Sequence, residues 1–271
     1  MEGRATARWE ELIRYLGEKE SLAVAFSGGV DSAFLLAAAK EALGERVTAV
    51  TVKSCFFPTQ ELSEAEAFCE ERGILHVIVE VDALGIEGIG ENPPNRCYIC
   101  KRAMFTKIIE AAAENGIACV AEASNLDDNN DYRPGLLAVE ELGVESPLRA
   151  VGFYKREIRA CSKELGLPTW EKPALACLAS RFVYGETLTA ERLWMVEAAE
   201  RFFRDAGFGQ VRVRVHGTLA RVEVAAEDFA KVCEGGFLLR ANEALKGLGF
   251  SYVTLDMGGY RTGSMNDSIL K

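Results

Sequence analysis

Residues 21–32 read Ser-Leu-Ala-Val-Ala-Phe-Ser-Gly-Gly-Val-Asp-Ser, a short apolar run that closes in a Ser-Gly-Gly turn and gives way to an Ala/Leu-rich stretch from Asp31 to Leu43. An apolar run of that length with a turn behind it is a strand entering a loop, and the stretch that follows reads as a helix. A second β-branched run, Val47 to Val52, completes strand, helix, strand at the spacing of a βαβ unit. In such a unit the loop from Ser27 to Ser32 offers consecutive backbone N–H groups and a helix N-terminus, a setting suited to phosphate oxygens. Gly28 and Gly29 let a ligand approach the backbone, and Ser27 and Ser32 add hydroxyl donors. Asp31 is placed to help hold a magnesium ion or to orient the loop. A plain glycine turn with a Ser/Asp helix cap would use the same residues, but the full hexapeptide in a βαβ setting favours phosphate. It matches neither Gly-x-x-x-x-Gly-Lys nor Gly-x-Gly-x-x-Gly.

Working outward, Arg8 to Leu16 reads as a short amphipathic helix. Helix Gln60 to Arg72, strand Leu75 to Val79, helix Tyr98 to Asn115 and strand Ala118 to Ala121 continue the alternation. The fold class is therefore α/β, a Rossmann-like parallel sheet with helices on both faces. After Pro147 the pattern changes to a helix over Lys155 to Leu165, a loop containing Pro168 and Pro173, and a long helix from about Ala190 to Ala206. A smaller α+β C-terminal domain is expected from Val151, dividing the chain into 1–150 and 151–271. Its strands are Gln210 to His216 and Leu219 to Ala225, a hairpin around Gly217-Thr218, and a last strand over Tyr252 to Leu255.

The 271 residues are 49% hydrophobic and 27% charged, the balance of a globular chain. Their formal net charge of −10 argues against passive attraction to nucleic acid or anionic lipid, so any polyanion must be met locally. Apolar stretches fall short of the roughly 20 residues a membrane helix needs, and the N-terminus has no apolar signal core, which points to a cytoplasmic protein. Eight cysteines are too few for a disulfide scaffold. Cys55, Cys69, Cys119, Cys161 and Cys233 read as mostly buried thiols.

The hexapeptide resembles the signature of the PP-loop ATP pyrophosphatases, which split ATP between the α- and β-phosphates and adenylylate an oxygen that nitrogen or sulfur later displaces. Ala25 and Phe26, with Val52, Lys53 and Ser54, lie at strand ends near the nucleoside by the switch-point rule. Ser124-Asn125-Leu126-Asp127-Asp128 resembles the second element of that superfamily, implying that Asn125 and Asp128 approach ATP and Mg2+. Three further stretches narrow the resemblance: Asp131-Tyr132-Arg133-Pro134-Gly135, Pro173-Ala174-Leu175-Ala176-Cys177-Leu178-Ala179-Ser180-Arg181, and Val211-Arg212-Val213-Arg214-Val215-His216-Gly217. Over nearly the whole chain they are similar to the LarE-type sulfur transferases of nickel pincer cofactor biosynthesis. That resemblance implies adenylylation and thiolation of both carboxylates of a pyridinium biscarboxylate mononucleotide, for the cofactor of lactate racemase. It also implies substrate contacts from Arg133, Arg181, Arg212 and Arg214. In one version of the family a cysteine at the position of Cys177 gives up its own sulfur. In another, three cysteines hold a [4Fe-4S] cluster that carries an extra sulfide.

Cys97-Tyr98-Ile99-Cys100 is a CxxC at a helix start beside Arg96, Lys101 and Arg102, where dipole and charge favour thiolates. A redox pair, a zinc half-site or two helix-start cysteines would read the same; with the resemblance, Cys97, Cys100 and Cys177 become the expected cluster ligands. Period-two alternation sets Val211, Val213 and Val215 against a core and Arg212, Arg214 and His216 on the opposite face. Two forked cations there invite a phosphate, and a solvated sheet face is the alternative. On the helix after Thr189, Glu200 lies in the apolar stripe of Leu193, Val196 and Phe203. It must either pair with one of the hairpin arginines or serve the site as base or metal ligand. His76 and His216 read as structural.

Alternative functions are a tRNA thiolase, which the charge disfavours, an ammonia-using PP-loop synthetase, which needs no cysteine at 177, and a nucleotide sensor that never cleaves ATP. Expected partners are the mononucleotide, other enzymes of the pincer pathway and further copies of the chain, with no nucleic acid or membrane.

Overall fold

The structure, a computed structural model, describes residues 3–130, 134–173 and 176–261. It divides into two compact units. One comprises Met1–Ser54, Thr59–Asp82 and Cys97–Leu175; the other comprises Cys55–Pro58, Ala83–Arg96 and Ala176–Lys271. The boundary expected at residue 150 thus moves to 175. Ile158, Cys161 and Leu167 from the expected second domain lie in the first unit's core with Phe34 and Phe153, which keeps their helix there.

The elements of the first unit are α1 (Gly3–Gly17), β1 (Leu22–Ala25), α2 (Val30–Leu43), β2 (Val47–Lys53), α3 (Thr59–Glu71) and β3 (Leu75–Glu80). They continue with α4 (Arg96–Glu114), β4 (Val120–Ala121), α5 (Pro134–Glu141), α6 (Pro147–Val151) and α7 (Lys155–Glu164). The strands form one parallel sheet in the order β3-β2-β1-β4. The apolar runs of β1 and β2 are buried on both faces, whereas edge strand β3 leaves Leu75 and Ile78 exposed. Leu22, Val24, Val47 and Ala49 pack with Leu12, Phe34 and Phe68, while Ala23 and Val50 pack with Phe105, Ile108 and Val139. A doubly covered parallel sheet demands continuous apolar runs of this kind. β4 is shorter than expected, and Glu145 continues the pairing: its N–H donates to the Val120 carbonyl at 2.9 Å and its carbonyl accepts from Glu122 N–H at 2.8 Å. Strand order reverses direction at β1, so the loops after β1 and β4 flank the crevice where such sheets bind ligands.

The second unit contains α8 (Ala190–Asp205), β5 (Val211–His216), β6 (Leu219–Val224), α9 (Phe229–Cys233), α10 (Phe237–Gly247) and β7 (Tyr252–Leu255). β5 and β6 form the expected hairpin, turning at Gly217 with φ +62°. β7 adds to β6 in parallel, and the intervening helices supply the crossover that a parallel pair requires. Phe203, Phe208 and Phe237 form an aromatic cluster with centroids 5.0–5.6 Å apart. Among the described residues no helix is long and apolar enough to cross a membrane.

Candidate functional site

In the first unit, β1 ends at Ala25 and the chain turns at Gly28, φ +69°, into α2. The Ser27 and Ser32 hydroxyls stand 3.0 Å apart, and Ser32 Oγ donates to the Gly29 carbonyl at 3.2 Å, fixing the loop from within. The loop opens on a cleft of about 150 Å³ lined by Ser27, Gly29, Val30, Asp31, Glu61, Lys155, Lys172 and Pro173. Lys155, the first residue of α7, is ion-paired through Nζ with Asp31. Lys172 Nζ donates to the Gly28 carbonyl at 2.9 Å and pairs with Glu64 at 2.5 Å. Two lysines therefore border the glycine loop, each paired with a carboxylate, and their ammonium groups are donors that a polyphosphate could use. Neither lysine was signalled by the sequence, since both stand far from the hexapeptide in ordinary helix and loop contexts.

The second loop reaches the same place. Asn125 Nδ2 donates to Asp31 Oδ1 at 3.4 Å, Asp128 Oδ2 accepts from Asn125 N–H at 2.9 Å, and Asp127 Oδ2 accepts from Lys155 N–H at 2.7 Å. Beneath it, buried Glu122 accepts from the Ser124 hydroxyl at 2.6 Å and from the Ser146 hydroxyl. Burial raises the Asp31 carboxyl against the pull of Lys155, and Asp128 raises it further. Two neighbouring carboxylates beside a phosphate cradle fit Mg2+, which is held by one or two carboxylates plus substrate phosphates. The structure thus gathers Ser27, Gly28, Gly29, Asp31, Ser32, Asn125 and Asp128. Lys53 instead ends β2 as an exposed residue paired with Glu80 at 2.5 Å, and Arg133 lies outside the described residues.

A Cβ on Gly28 would lie 3.3 Å from the Glu61 carbonyl and 3.7 Å from Lys172 Nζ, on a left-handed backbone. Gly28→Ala is expected to cost about 1–2 kcal/mol of stability and to weaken binding of a non-hydrolysable ATP analogue, both measurable by calorimetry.

In the second unit, Cys177 is half-buried and caps the short 3-10 turn Leu178–Arg181. Arg181 is completely buried. Its Nε and Nη2 bind Glu200 at 2.8 and 3.0 Å, and its Nη1 donates to the carbonyls of Ala176 and Cys177, the latter at 3.1 Å. Glu200, 1% exposed on α8, also accepts from Val213 N–H at 3.2 Å. Burial alone would raise its carboxyl, but Arg181 outweighs burial and lowers it. The partner of Glu200 is thus Arg181 and not a hairpin arginine. Arg181 and Glu200 hold the cysteine turn in place, and their polar atoms are already occupied.

The valine face of β5 is buried as expected, but the arginine face is buried as well, leaving Arg212 only 3% and Arg214 6% exposed. Arg214 Nε and Nη2 donate to Glu223 at 3.1 and 3.0 Å, and its Nη1 reaches the Ser180 carbonyl at 3.3 Å. Arg212 lies over the Tyr260 ring, with burial and the Arg181 charge lowering it to about 10 while Glu200 pulls the other way. His76 is structural, as expected, with Nε2 2.7 Å from Thr51 Oγ1.

Cys97 and Cys100 stand one turn apart at the start of α4, the first exposed and the second buried with Sγ 3.6 Å from Met104 Sδ. Their thiols suit the donor preference of an iron–sulfur cluster. Among the described residues, however, no group of three or more His, Cys, Asp and Glu side chains is disposed to hold a metal ion. Of the remaining cysteines, Cys69 and Cys161 are buried, whereas Cys55 and Cys233 are exposed, contrary to expectation. Cys55 stands in a turn and Cys233 ends the short helix α9, where the side chains beside them, Phe56 and Val232, take the buried positions.

A parallel sheet that presents Ser-Gly-Gly-Val-Asp-Ser at its switch-point crevice, faced by an acidic second loop, defines the PP-loop class of ATP-utilising α/β enzymes. The family profile described as queuosine biosynthesis protein QueC matches residues 21–92. The pyridinium-3,5-bisthiocarboxylic acid mononucleotide synthase of Lactiplantibacillus plantarum is 41% identical over 264 residues, covering 96% of this chain and 94% of its own. An uncharacterised protein of Synechocystis sp. is 38% identical over 98% of this chain and 99% of its own. A glutamine-hydrolysing GMP synthase component of Thermoplasma acidophilum is 30% identical over 67% of this chain and 63% of its own. The chain belongs to the family of the Lactiplantibacillus synthase, the LarE-type ATP-dependent sulfur transferases.

Proposed function

We propose that this chain thiolates the carboxylates of a pyridinium biscarboxylate mononucleotide at the expense of ATP. The cleft that joins the Ser27–Ser32 loop, Asp31, Lys155 and Lys172 is the observation that carries the reading. The loop N–H groups and both lysines would hold the β- and γ-phosphates and offset the charge that develops on departing pyrophosphate. A substrate carboxylate oxygen attacks the α-phosphorus, pyrophosphate leaves, and the resulting acyl-adenylate then accepts sulfur at its carbonyl carbon as AMP departs. Relatives of the same class that use ammonia would share the first half of this sequence and lack the second. Arg212 is assigned to the substrate phosphate. Arg214, committed to Glu223 and Ser180, shapes that place instead.

Sulfur delivery is assigned to Cys177. A [4Fe-4S] cluster on Cys97, Cys100 and Cys177, the route supported by two thiols on one helical turn, would supply an open iron able to carry sulfide. The test is substrate-dependent release of AMP and pyrophosphate by anaerobic protein, followed by intact-mass spectrometry after one turnover. We expect both products, bound iron and sulfide, and an unchanged Cys177. ADP and phosphate would overturn the adenylylation, and a chain lighter by about 34 Da, one lost hydrogen sulfide from a cysteine thiol, would replace the cluster route with a sacrificial Cys177.

A further inference from the structure

The turn that carries Cys177 is bound from several sides within its own unit. The Leu178 N–H donates to the Phe56 carbonyl at 2.9 Å, the Cys177 carbonyl accepts from Ser180 N–H at 2.9 Å, and Arg181 and Arg214 take the carbonyls already described. The Ala179 carbonyl is taken by another buried arginine, Arg96, whose Nη1 donates to it at 3.1 Å. Arg96 also donates to Asn92 Oδ1 and lies over the Tyr184 ring, 5.5 Å from its centroid.

Asn92 is fully buried. Among the described residues it is the one non-glycine with a positive φ, 51°, a backbone state that asparagine tolerates better than other side chains. Its Nδ2 donates to the Val183 carbonyl at 2.7 Å, and its own carbonyl accepts from Gly185 N–H at 3.0 Å. Asn92 thus grips the chain just after the turn while holding the arginine that grips the turn itself. Neither role follows from propensity, since Asn92-Pro93-Pro94-Asn95 reads simply as a loop.

We propose that Asn92 and Arg96 are positioning residues for Cys177, setting where its Sγ stands relative to an incoming acyl-adenylate. The proposal rests on the assignment of sulfur delivery to Cys177. A misplacement of about 1 Å at a reacting group can cost roughly 100-fold in rate, so a carbonyl brace two residues from the sulfur is enough to matter.

The test uses the full chain as purified and follows two quantities. One is the rate of Cys177 alkylation by iodoacetamide, resolved by peptide mass spectrometry and divided by that of exposed Cys233 in the same molecules. The other is thiocarboxylate formation alongside ATP–pyrophosphate exchange. Arg96→Met is expected to change the alkylation ratio by about threefold or more, because exposure sets thiol reactivity. It should lower thiocarboxylate formation about tenfold or more while exchange is retained. Arg96→Lys, which keeps one donor, should restore part of both. Asn92→Gly relieves the left-handed backbone yet removes the amide, so it should reproduce the loss without a fall in melting temperature. Asn92→Asp, which keeps the acceptor for Arg96, should lose less. An unchanged ratio and unchanged transfer in both Arg96→Met and Asn92→Gly would overturn the proposal. So would a parallel change at Cys177 and Cys233 with a lowered melting temperature, which marks general loosening. If Cys177→Ala still transfers sulfur, the assignment of Cys177 fails, while the alkylation ratio continues to report on the brace.

Discussion

Glu200→Ala is expected to destabilise the fold by about 3–5 kcal/mol, the range for removing one member of a buried ion pair. The variant would strand the fully buried Arg181 guanidinium and deprive Val213 N–H of its acceptor. Combining Glu200→Leu with Arg181→Met removes both charges and should recover much of the loss in chemical denaturation, although the carbonyls of Ala176 and Cys177 would lose their donor. The double variant should therefore fold and transfer sulfur poorly, separating the pair's contribution to stability from its placement of the turn. The pH dependence has a fixed sign. Because Glu200 titrates below its ordinary value of 4.5 in the folded chain, its contribution is complete above that value and is lost as pH falls through the lower, folded one. Acid titration of wild type and Glu200→Gln should diverge at neutral pH and converge in acid.

Cys177→Ala should abolish thiocarboxylate formation by roughly 1,000-fold or more, because both proposed routes, cluster-borne sulfide and sacrificial thiol, need the Cys177 thiolate. ATP–pyrophosphate exchange should survive, since the residues lining the nucleotide cleft belong to the other unit. Cys177→Ser, which keeps size and a hydrogen-bonding atom, should behave like alanine because an alcohol neither replaces a thiolate ligand of a cluster nor has sulfur to give. Cys55→Ala and Cys233→Ala serve as controls: both thiols are exposed, and their removal should leave transfer intact. Transfer by Cys177→Ala above a tenth of wild type would remove Cys177 from the reaction.

The nucleotide half of the molecule was written plainly in the sequence because its signals are local. Apolar runs of strand length, a Gly-Gly turn and the Ser124–Asp128 stretch each declare themselves within a few residues, and the sheet then brings Asn125 to Asp31. The arginine face of β5 shows where that approach fails. Alternating Val and Arg reads as one dry and one wet face, yet Arg214 is buried against Glu223, and what neutralises it comes from across the hairpin and from the Ser180 carbonyl. Glu200 reads as a carboxylate needing a partner, but periodicity carries no information about a partner 19 residues away on a different element. Lys155 and Lys172 carry no local signal for the same reason. Each acquires its meaning only where the glycine loop comes to meet it.

The chain passes back and forth between its units before the second is finished, contributing Cys55–Pro58 and Ala83–Arg96 ahead of the long C-terminal stretch. This has a bearing on heredity and engineering. A gene cut at codon 175 would yield a C-terminal product without Phe56, Asn92 and Arg96, which bind the backbone of the cysteine-bearing turn and the segment after it. The two halves therefore cannot be shuffled between relatives as interchangeable cassettes. A chimera that keeps the Cys177 turn intact must exchange three separate pieces of sequence together, because Cys55–Pro58 and Ala83–Arg96 belong to the same unit as a cysteine more than 80 positions downstream.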